Sequence, residues 1–261
     1  MIPKKIHYCW FGNKPLDKEA QKCIESWRKY CDGYEIIEWN EENYDLHACK
    51  YVEQAATAEK WAFVSDYARF DIIYRFGGLY FDVDVELIKN IDEIIKNGPF
   101  MGCEQGKTSF AGTKINSGLG MAGEPGLSIF NEILESYQND TFQFDANRKK
   151  VYTVVERVTN IFKKHGYIEN GNNQIVSGVT IYPWDFFCPM NYYNGNIMIT
   201  NNTCSIHHYN MSWQSSYSKN LKKIERFLRK QFGNTIGAYI YKIITGPVKA
   251  IHKAMIVIHR R

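Results

Sequence analysis

Apolar positions change their spacing several times in the first third of the chain, and these changes predict alternating strands and helices. The run KKIHYCWFG predicts a first strand, and Asp17 then precedes apolar residues at helical spacing, which indicates an N-capped helix. A second strand, YEIIEWN, precedes a helical region that ends at Gly77–Gly78. This alternation predicts an α/β sheet with right-handed crossovers.

The stretch GGLYFDVDVEL, from Gly77 to Leu87, carries carboxylates in an otherwise apolar setting. Because its apolar residues fall on both faces, we expect one buried central strand. Alternate side chains of a strand share a face, which would place Asp82, Asp84 and Glu86 together. Burying unpaired carboxylates is costly, whereas two of them at the carboxyl end of a strand suit a hard cation such as Mg²⁺ or Mn²⁺. Glu86 has no assigned role.

Shorter elements are predicted after this strand. PFMGCEQ and INSGLGMA each indicate a strand, and the segment from Pro125 to Tyr137 indicates a helix. Residues 138–200 predict a mixture of short elements, and CSIHHYNMSWQ follows them. The expected fold is therefore an α/β domain over residues 1–218 with a mixed, mainly parallel central sheet.

A separate basic helical tail is predicted over residues 219–261. It contains eleven Lys and Arg against one acid, Glu225, so its net charge is +10; the whole chain carries +4, which leaves −6 on residues 1–218. The first tail helix is amphipathic. Its predicted apolar face consists of Leu221, Ile224, Phe227, Leu228 and Phe232. Gly246–Pro247 is expected to separate this part from a second segment, Val248 to Arg261.

Basic amphipathic helices are typical of proteins that bind an anionic membrane surface. The alternative is a solvated helix whose apolar stripe packs on the body of the protein. Nucleic acid is a less favoured partner because no recognition motif accompanies the charge. We therefore predict that the tail is a membrane-surface anchor.

The seven cysteines favour a reducing compartment. Their number is odd and no pair has CxxC spacing, which argues against a disulfide framework or a structural zinc site. The segment MIPKKIHYCWFG lacks the apolar core of a signal peptide, and no run of about 18 apolar residues occurs. These features predict a cytoplasmic protein.

Three stretches together resemble glycosyltransferase family 32, which includes bacterial capsule and lipopolysaccharide sugar transferases: IPKKIHYCWFG, SDYARFDIIYRFGGLYFDVDVEL and SIHHYNMSW. More distantly, they are similar to the catalytic domains of the large clostridial glucosylating toxins. The resemblance implies a GT-A-type domain that transfers a sugar from a nucleotide-diphosphate donor, most simply a UDP-sugar, with retention of configuration. It also implies a lipid-linked glycan acceptor in bacterial surface polysaccharide synthesis, at the inner face of the plasma membrane.

The resemblance assigns donor-binding roles to several residues. Trp10 would stack on the nucleotide base, to which a flat indole is suited. Ser65, Asp66 and Arg69 would contact ribose, donor sugar and phosphate. Tyr80 would pack against the donor, with a core position as the alternative. Without the resemblance, Trp10 is equally consistent with a core position, and the i, i+3 pair Asp66–Arg69 with a surface ion pair.

A metal, Mn²⁺ or Mg²⁺, is implied by the same resemblance. Asp82 would hold the ribose and, through water, the metal, while Asp84 would bind the metal directly. Neutral imidazole suits Mn²⁺. His208 is the preferred further ligand, because it lies five residues before Trp213, where the toxins have a metal-binding acid, and His207 is the second choice. A lone histidine is otherwise more often a core residue.

The remaining implied contacts involve the donor sugar and the leaving group. Asn116 and Ser117 would lie next to the sugar, and Ser212 and Trp213 would reach the diphosphate and the glycosidic oxygen. The predicted catalytic residues are Asp82, Asp84, Arg69 and Trp213. No nucleophile or base facing the acceptor is identified, and Glu104 or Gln105 are the candidates beneath the sugar.

Two other functional classes stay open. One is a metal-dependent phosphohydrolase of the haloacid dehalogenase type, although that motif requires Thr or Val where this chain has Glu86 and adjacent aspartates that the sequence lacks. The other is a non-catalytic module that binds a nucleotide-sugar or a glycan. Turnover of nucleotide-sugars would separate both from a transferase.

Overall fold

The protein was analysed as a computed structural model that describes residues 1–105, 113–142, 152–211 and 216–258, with side chains through residue 247. The strands are β1 (Lys5–Cys9), β2 (Glu35–Trp39), β3 (Gly78–Tyr80), β4 (Val85–Leu87), β5 (Phe100–Cys103), β6 (Ile115–Gly123), β7 (Gln174–Val176), β8 (Val179–Tyr182) and β9 (Ser205–His207). The helices are α1 (Lys18–Tyr30), α2 (Lys50–Thr57), α3 (Trp61–Phe76), α4 (Asp92–Lys96), α5 (Ser128–Gln138), α6 (Val154–Lys164), α7 (Trp184–Phe187), α8 (Ser216–Phe232) and α9 (Asn234–Ile258).

Seven of the described strands form one mixed sheet in the order β2-β1-β3-β6-β5-β8-β7. Within it β6 and β7 run against the other five strands, which all point the same way. The predicted α/β class with a mixed, mainly parallel sheet is thereby confirmed. A second, two-stranded sheet pairs β4 with β9.

The first helices begin and end at the residues that the sequence indicates. The Asp17 carboxylate accepts a hydrogen bond from the Ala20 amide at 2.8 Å, which satisfies an otherwise unpaired donor of the first turn of α1. Helix α3 ends at Gly77, whose φ of 63° is in the left-handed region that glycine tolerates best.

The predicted strand over GGLYFDVDVEL is wrong in one respect, because the chain leaves the large sheet in its middle. Strand β3 ends at Tyr80, and the Val85 amide then donates to the Asp82 carbonyl at 3.0 Å, which closes a turn. The segment that follows, β4, pairs with β9 instead. A buried strand that changes sheets keeps apolar residues on both sides, so the pattern alone does not reveal the turn.

Apolar side chains cover both faces of the large sheet. Along the central strands they alternate between two clusters: Ile6, Leu79 and Phe81 belong to one and Cys9 and Tyr80 to the other. This alternation is the two-residue period of strands. Helix α1 contributes to the first cluster, and α3, α5 and α6 contribute to the second. The sheet is thus held rigidly between helical layers.

A neutral histidine is buried in the centre of β1. The Trp39 indole donates to Nδ1 of His7 at 3.0 Å, and Nε2 therefore donates to the Gly77 carbonyl at 3.0 Å. Burial lowers the pKa of His7 from 6.5 to about 4, the Gly77 hydrogen bond opposes the shift, and the charge of Lys5 adds to it. The fully buried imidazole is therefore uncharged at neutral pH.

We expect acid to destabilise the fold through His7. Its pKa is lower in the folded than in the unfolded protein, so the unfolded chain binds the extra proton, and stability is lost as pH falls from 6.5 towards 4. The expected loss between pH 7 and 4.5 is about 2–3 kcal/mol. Urea unfolding of the wild type and of His7→Gln at both pH values measures it. Equal pH dependence in the two proteins would contradict this assignment.

The described chain divides into two compact units. Unit 1 comprises Met1–Pro189 and Met198–Asn210, and unit 2 comprises Met190–Ile197 and Met211–Arg261. The predicted domain division at residues 218 and 219 stays a prediction. Of the helices in the described part of the chain, none combines the length and the apolar character that crossing a membrane requires.

Helix α9 corrects the expectation for the end of the chain. It runs without interruption from Asn234 to Ile258 and contains Pro247. A proline within a helix removes one backbone hydrogen bond and crowds the preceding turn, yet neighbouring residues can keep the helix continuous. Gly246–Pro247 is therefore not the predicted break.

Candidate functional site

Ends of several strands meet at one edge of the large sheet. Because β1, β3 and β5 are parallel, their carboxyl ends lie at this edge, where the antiparallel β6 begins. The chain continues from these strands into Trp10, Asp82 and Glu104, and Asn116 lies near the start of β6. Open α/β sheets bind ligands at such carboxyl edges. This edge is our candidate functional site.

The turn after β3 brings the two aspartates of the DVD sequence together. The Asp82 amide donates to the Gly118 carbonyl at 3.1 Å, so this residue still lies beside β6. Asp84 lies two residues further, where the chain turns towards β4. The predicted proximity of the two carboxylates thus arises from a turn, and not from alternation along a strand.

Glu86 diverges from this pair, contrary to the expectation of a shared face. Its carboxylate lies 3.1 Å from Nζ of Lys22 and 2.8 Å from Nε2 of His208. These partners explain why a carboxylate is tolerated in this apolar strand. They also make Glu86 a useful reference residue, since it is close in sequence to Asp84 but has different partners.

A candidate metal-binding group consists of Asp82, Asp84 and His207. One ligand atom from each lies within 4.8 Å of the other two, and Nε2 of His207 is 3.1 Å from Oδ1 of Asp84. Two carboxylates and an imidazole match the ligand preferences of Mn²⁺ and similar ions. Nδ1 of His207 is buried and has no hydrogen-bond partner among the described residues. The donor set therefore fits the predicted metal.

His207, and not the preferred His208, joins the aspartates. Strand β9 lies antiparallel to β4 with His207 opposite Val85, and this pairing directs the His207 imidazole to Asp84. His208 instead uses its backbone amide on the Asp84 carbonyl, at 2.9 Å, and its ring on Glu86. The geometry therefore favours His207 over the preferred His208 as the third ligand, and metal binding by either histidine stays a prediction.

The charge on Asp84 is well supported by its surroundings. Burial alone raises the pKa of this carboxyl, but the His207 charge and hydrogen bond, together with the Asn210 amide 2.8 Å from Oδ2, lower it to about 2. In the same pair, burial lowers the pKa of His207, and Asp84 outweighs burial and raises it. Asp84 is therefore negatively charged although it is buried.

The backbone beside Asn210 is strained. Tyr209 and Met211 have φ of 54° and 48°, in the left-handed region that non-glycine residues rarely occupy. This conformation presents the Asn210 amide to Asp84. Strain of this kind concentrates at functional sites, and the sequence gives no signal for it.

Arg69 connects the aspartates to α3. Its guanidinium lies 3.0 Å from Oδ1 of Asp66 and 3.2 Å from Oδ1 of Asp82, and only 4% of the residue is exposed. It also lies over the Tyr80 ring, at 5.1 Å from the centroid, and within 3.4 Å of the Ser117 hydroxyl. Asp66–Arg69 is therefore a buried pair and not the surface ion pair that its spacing alone would suggest.

The Asp66 carboxyl has a raised pKa. Burial raises its pKa and the Asp82 charge adds to this, whereas Arg69 opposes both, with a resulting value of about 6. Tyr80 donates from its hydroxyl to Oδ1 of Asp82 at 3.1 Å, so Asp82 is also held by a neutral donor. Five of the predicted donor-binding residues thus form one contiguous network: Asp66, Arg69, Tyr80, Asp82 and Ser117.

Because Gly118 has no side chain, the Asp82 carboxylate and the Arg69 guanidinium can lie close to its backbone. A Cβ atom at this position would overlap Oδ2 of Asp82 and would lie 3.0 Å from Nη1 of Arg69. The sequence offers glycines in INSGLGMA but does not show which one is required. Asn116 orients this segment, because its Oδ1 accepts from the Gly118 amide at 2.9 Å.

We expect Gly118→Ala to displace the Asp82 carboxylate and to lower the activity of the site about a hundredfold, the effect of an ångström-scale misplacement of a reacting group. Turnover assays and thermal unfolding measure this. Gly246→Ala is the matched control, because a Cβ there meets no atom within 4 Å. Full activity of Gly118→Ala would contradict the described packing.

Glu104 places another carboxylate at this edge. Its Oε2 lies 3.2 Å from Nδ2 of Asn116, and burial raises its pKa although this hydrogen bond and the His207 charge oppose the shift. The sequence supported Glu104 only weakly, as a residue beneath the sugar. The hydrogen bond to Asn116 now connects it with the predicted sugar-binding segment.

The remaining predicted site residues have other surroundings: Trp10 packs against the apolar cluster that contains Ile6 and Phe81, and the Ser65 carbonyl accepts from Nε of Arg69 at 3.0 Å. Trp10 is half-buried and its indole donates to the Lys14 carbonyl at 2.5 Å. The Ser65 hydroxyl donates to the Trp61 carbonyl within α3, at 3.0 Å. Ser212 and Trp213 lie outside the described residues. The roles assigned to these four residues stay predictions.

Comparisons with known proteins agree with this site. Residues 17–101, a span shorter than half of the chain, match the family described as "Glycosyltransferase sugar-binding region containing DXD motif". The chain is 24% identical over 242 residues to "Uncharacterized glycosyltransferase L373" of Acanthamoeba polyphaga mimivirus, an alignment that covers 89% of this chain and 90% of the relative. The chain is thus similar to glycosyltransferases, and the matched span contains Asp82 and Asp84.

Solved structures with partial similarity are also glycosyltransferases. "PaToxG Glycosyltransferase" aligns with a TM-score of 0.45 and 17% identity over 62% of this chain and 69% of that one. A glycosyltransferase "involved in the glycosylation of the major capsid of PBCV-1" aligns with a TM-score of 0.42 and 16% identity over 82% of this chain and 96% of that one.

Proposed function

We propose that the protein is a metal-dependent glycosyltransferase that uses a nucleotide-diphosphate sugar, most simply a UDP-sugar. The observation that carries this proposal is the group Asp82, Asp84 and His207 beside the buried Arg69, at the carboxyl edge of the sheet. The carboxylate oxygens and the imidazole can bind a divalent cation, and the guanidinium carries a permanent positive charge. A diphosphate requires both.

Each residue of this group has a distinct part in the proposed reaction. Asp82, Asp84 and His207 would hold Mn²⁺ or Mg²⁺. A bound divalent cation supplies neutralisation of the charge that develops on a departing diphosphate. Arg69, fixed by Asp66 and Asp82, directs positive charge to the same place without reorganisation, which is the arrangement that stabilises a leaving anion.

The proposed donor site extends in two directions from the three candidate metal ligands and Arg69. Trp10, which follows β1, would stack on the base, and Ser65 and Asp66 would contact the ribose and the sugar. Asn116, Ser117 and Glu104 lie on the side of β6, where amide and carboxylate groups can bind sugar hydroxyls. In this respect the proposal follows the narrower resemblance to family 32.

Transfer with retention is proposed to proceed on one face of the sugar. The acceptor hydroxyl attacks from the side on which the diphosphate leaves, and the departing phosphate oxygen accepts its proton. Ser212 and Trp213 would donate hydrogen bonds to the leaving group in this scheme. No enzyme nucleophile is needed, so trapping of a covalent glycosyl–enzyme adduct would contradict it.

The acceptor in our proposal is a lipid-linked glycan of bacterial surface polysaccharide synthesis, reached at the inner face of the plasma membrane. This part rests on the resemblance to capsule and lipopolysaccharide transferases and on the charge of the tail. The viral relative supports glycosyl transfer in general and carries no information about the acceptor.

A donor panel tests the proposal. The purified chain is incubated with UDP- and GDP-sugars, with Mn²⁺ or Mg²⁺, and with glycan acceptors, and release of the nucleoside diphosphate is measured. We expect metal-dependent release from one class of donor. Release of phosphate from monoesters without turnover of any nucleotide-sugar would favour a phosphohydrolase, and donor binding without turnover would favour a binding module.

A further inference from the structure

The first tail helix buries a lysine beside one residue of its apolar stripe, Leu228, and leaves most of that stripe exposed. Only 8% of Lys222 is exposed, and its Nζ lies 3.8 Å from the centroid of the Tyr192 ring and 5.0 Å from that of Tyr193. Nε of Arg226 donates to the Tyr192 carbonyl at 3.1 Å. Basic side chains of α8 therefore face the interior of unit 2.

Glu225, the one acid in the sequence of α8, belongs to the same cluster. Glu225 lies 3.1 Å from Nζ of Lys222 and 2.6 Å from the guanidinium of Arg229. Burial lowers the pKa of Lys222, and Glu225 opposes that shift. The aromatic rings and the carboxylate together stabilise these cations away from water. No other acid occurs from residue 219 onwards.

Large apolar side chains of α8 and α9 are exposed as a consequence. On α8 these are Ile224, Phe227 and Phe232, and on α9 they are Ile236, Tyr239, Ile243 and Ile244, with exposed fractions from 41% to 67%. We call these seven residues the outer apolar set. Those of α9 recur at intervals of three, four and one residues, which is the spacing of a helical stripe. Contiguous exposed apolar patches mark interaction sites.

The charge near this set favours one class of partner. Lys223, Lys230 and Lys242 are exposed, and the only acid of the segment is engaged with Lys222 and Arg229. An apolar surface with exposed cations and no free acid complements an anionic lipid surface, in which apolar groups enter the acyl boundary and lysines meet the headgroups. A protein partner would need a matching apolar and acidic surface.

We propose that the outer apolar set of α8 and α9 binds the surface of an anionic lipid bilayer, with Lys223, Lys230 and Lys242 at the headgroups. The inference rests on unit 2 alone and does not depend on the proposed transfer reaction. It identifies the binding face as the exposed apolar residues, whereas Lys222, Arg226 and Arg229 act within the protein.

Vesicle co-sedimentation of the full chain tests this proposal. The probes are vesicles of phosphatidylcholine alone and of phosphatidylcholine mixed with phosphatidylglycerol, without nucleotide or metal. We expect binding to the mixed vesicles only, weakened about tenfold by Phe227→Ser with Tyr239→Ser and by Lys223→Glu with Lys230→Glu. Ile175→Ser is the matched control, because Ile175 is 77% exposed but lies in unit 1.

Three outcomes would overturn the proposal. They are no binding to the mixed vesicles, equal binding of the two double variants and the wild type, and loss of binding in Ile175→Ser alone. Light scattering of the same samples identifies a second copy of the chain as the occupant, if a dimer forms that Phe227→Ser with Tyr239→Ser dissociates and vesicles do not bind. Since no donor is used, failure here leaves the proposed transfer reaction untouched and removes only the support that the tail gives to an acceptor at the membrane.

Discussion

Asp84→Asn is expected to abolish donor cleavage, with a loss of about a thousandfold or more in kcat/KM. The substitution keeps the shape of the side chain and one acceptor oxygen, but it removes the negative charge that His207 and the Asn210 amide stabilise. A neutral amide is a weaker ligand for a hard cation and holds the imidazole less firmly. Release of nucleoside diphosphate at saturating metal, over a range of donor concentrations, measures the effect.

Glu86→Gln provides the control for this variant. Glu86 lies two residues further along the chain, but its partners are Lys22 and His208, outside the group of Asp82, Asp84 and His207. We expect turnover within a few-fold of the wild type. Similar losses in both variants would mean that the carboxylates contribute only to the folding of β4, and the metal assignment would then be wrong.

Arg69→Met is expected to reduce both stability and activity. The guanidinium balances the negative charges of Asp66 and Asp82. Its removal leaves these two largely buried carboxylates without this cation. Loss of one partner of a buried ionic group costs about 3–5 kcal/mol in the free energy of unfolding. Activity should fall about a hundredfold or more, because fixed positive charge beside the leaving group is lost.

Two further variants make this result interpretable. Arg75→Met removes a half-exposed cation of the same helix, whose pair with Asp71 spans 3.2 Å at the surface, and it should cost less than about 1 kcal/mol. Arg69→Lys keeps the charge but not the planar fork that reaches both aspartates, so it should recover stability better than activity. Equal effects of the Arg69→Met and Arg75→Met substitutions on unfolding would contradict the central position of Arg69.

Local signals in the sequence predicted the elements that depend on neighbouring residues. The Asp17 cap and the Gly77 stop both act within a few residues, and both lie at the helix ends observed. The turn after Tyr80 has no such signal. It depends on whether the next apolar segment pairs with β6 or with β9, which is a long-range choice. A strand pattern contains the same apolar residues in either case.

The candidate site shows the same division between local and long-range information. Asp82, Asp84 and Arg69 could be selected from the sequence because they occur in short, recognisable patterns. The choice between His207 and His208 depends on the register of β9 against β4, and a shift of one residue exchanges the two side chains. The position of Gly118 against Asp82 likewise follows from pairing across the sheet and not from the glycine itself.

The tail illustrates a different reason for an incomplete prediction. Its helical content and basic character follow from composition and spacing. Which face of α8 is buried depends on Tyr192 and Tyr193, thirty residues earlier, whose rings accept Lys222. Aromatic rings and Glu225 stabilise the buried ammonium group, so a lysine is buried together with Leu228 while most of the apolar stripe is exposed.

The spectrum of bound Mn²⁺ tests the proposed metal site most directly. Electron spin echo measurements on the protein with Mn²⁺ and UDP report whether a histidine nitrogen is coupled to the ion. We expect this coupling in the wild type and in His208→Ala and its loss in His207→Ala, because His207 is the one histidine of the described residues that lies with Asp82 and Asp84. Coupling that persists in His207→Ala and disappears in His208→Ala, or failure of the wild type to bind Mn²⁺, would contradict the assignment.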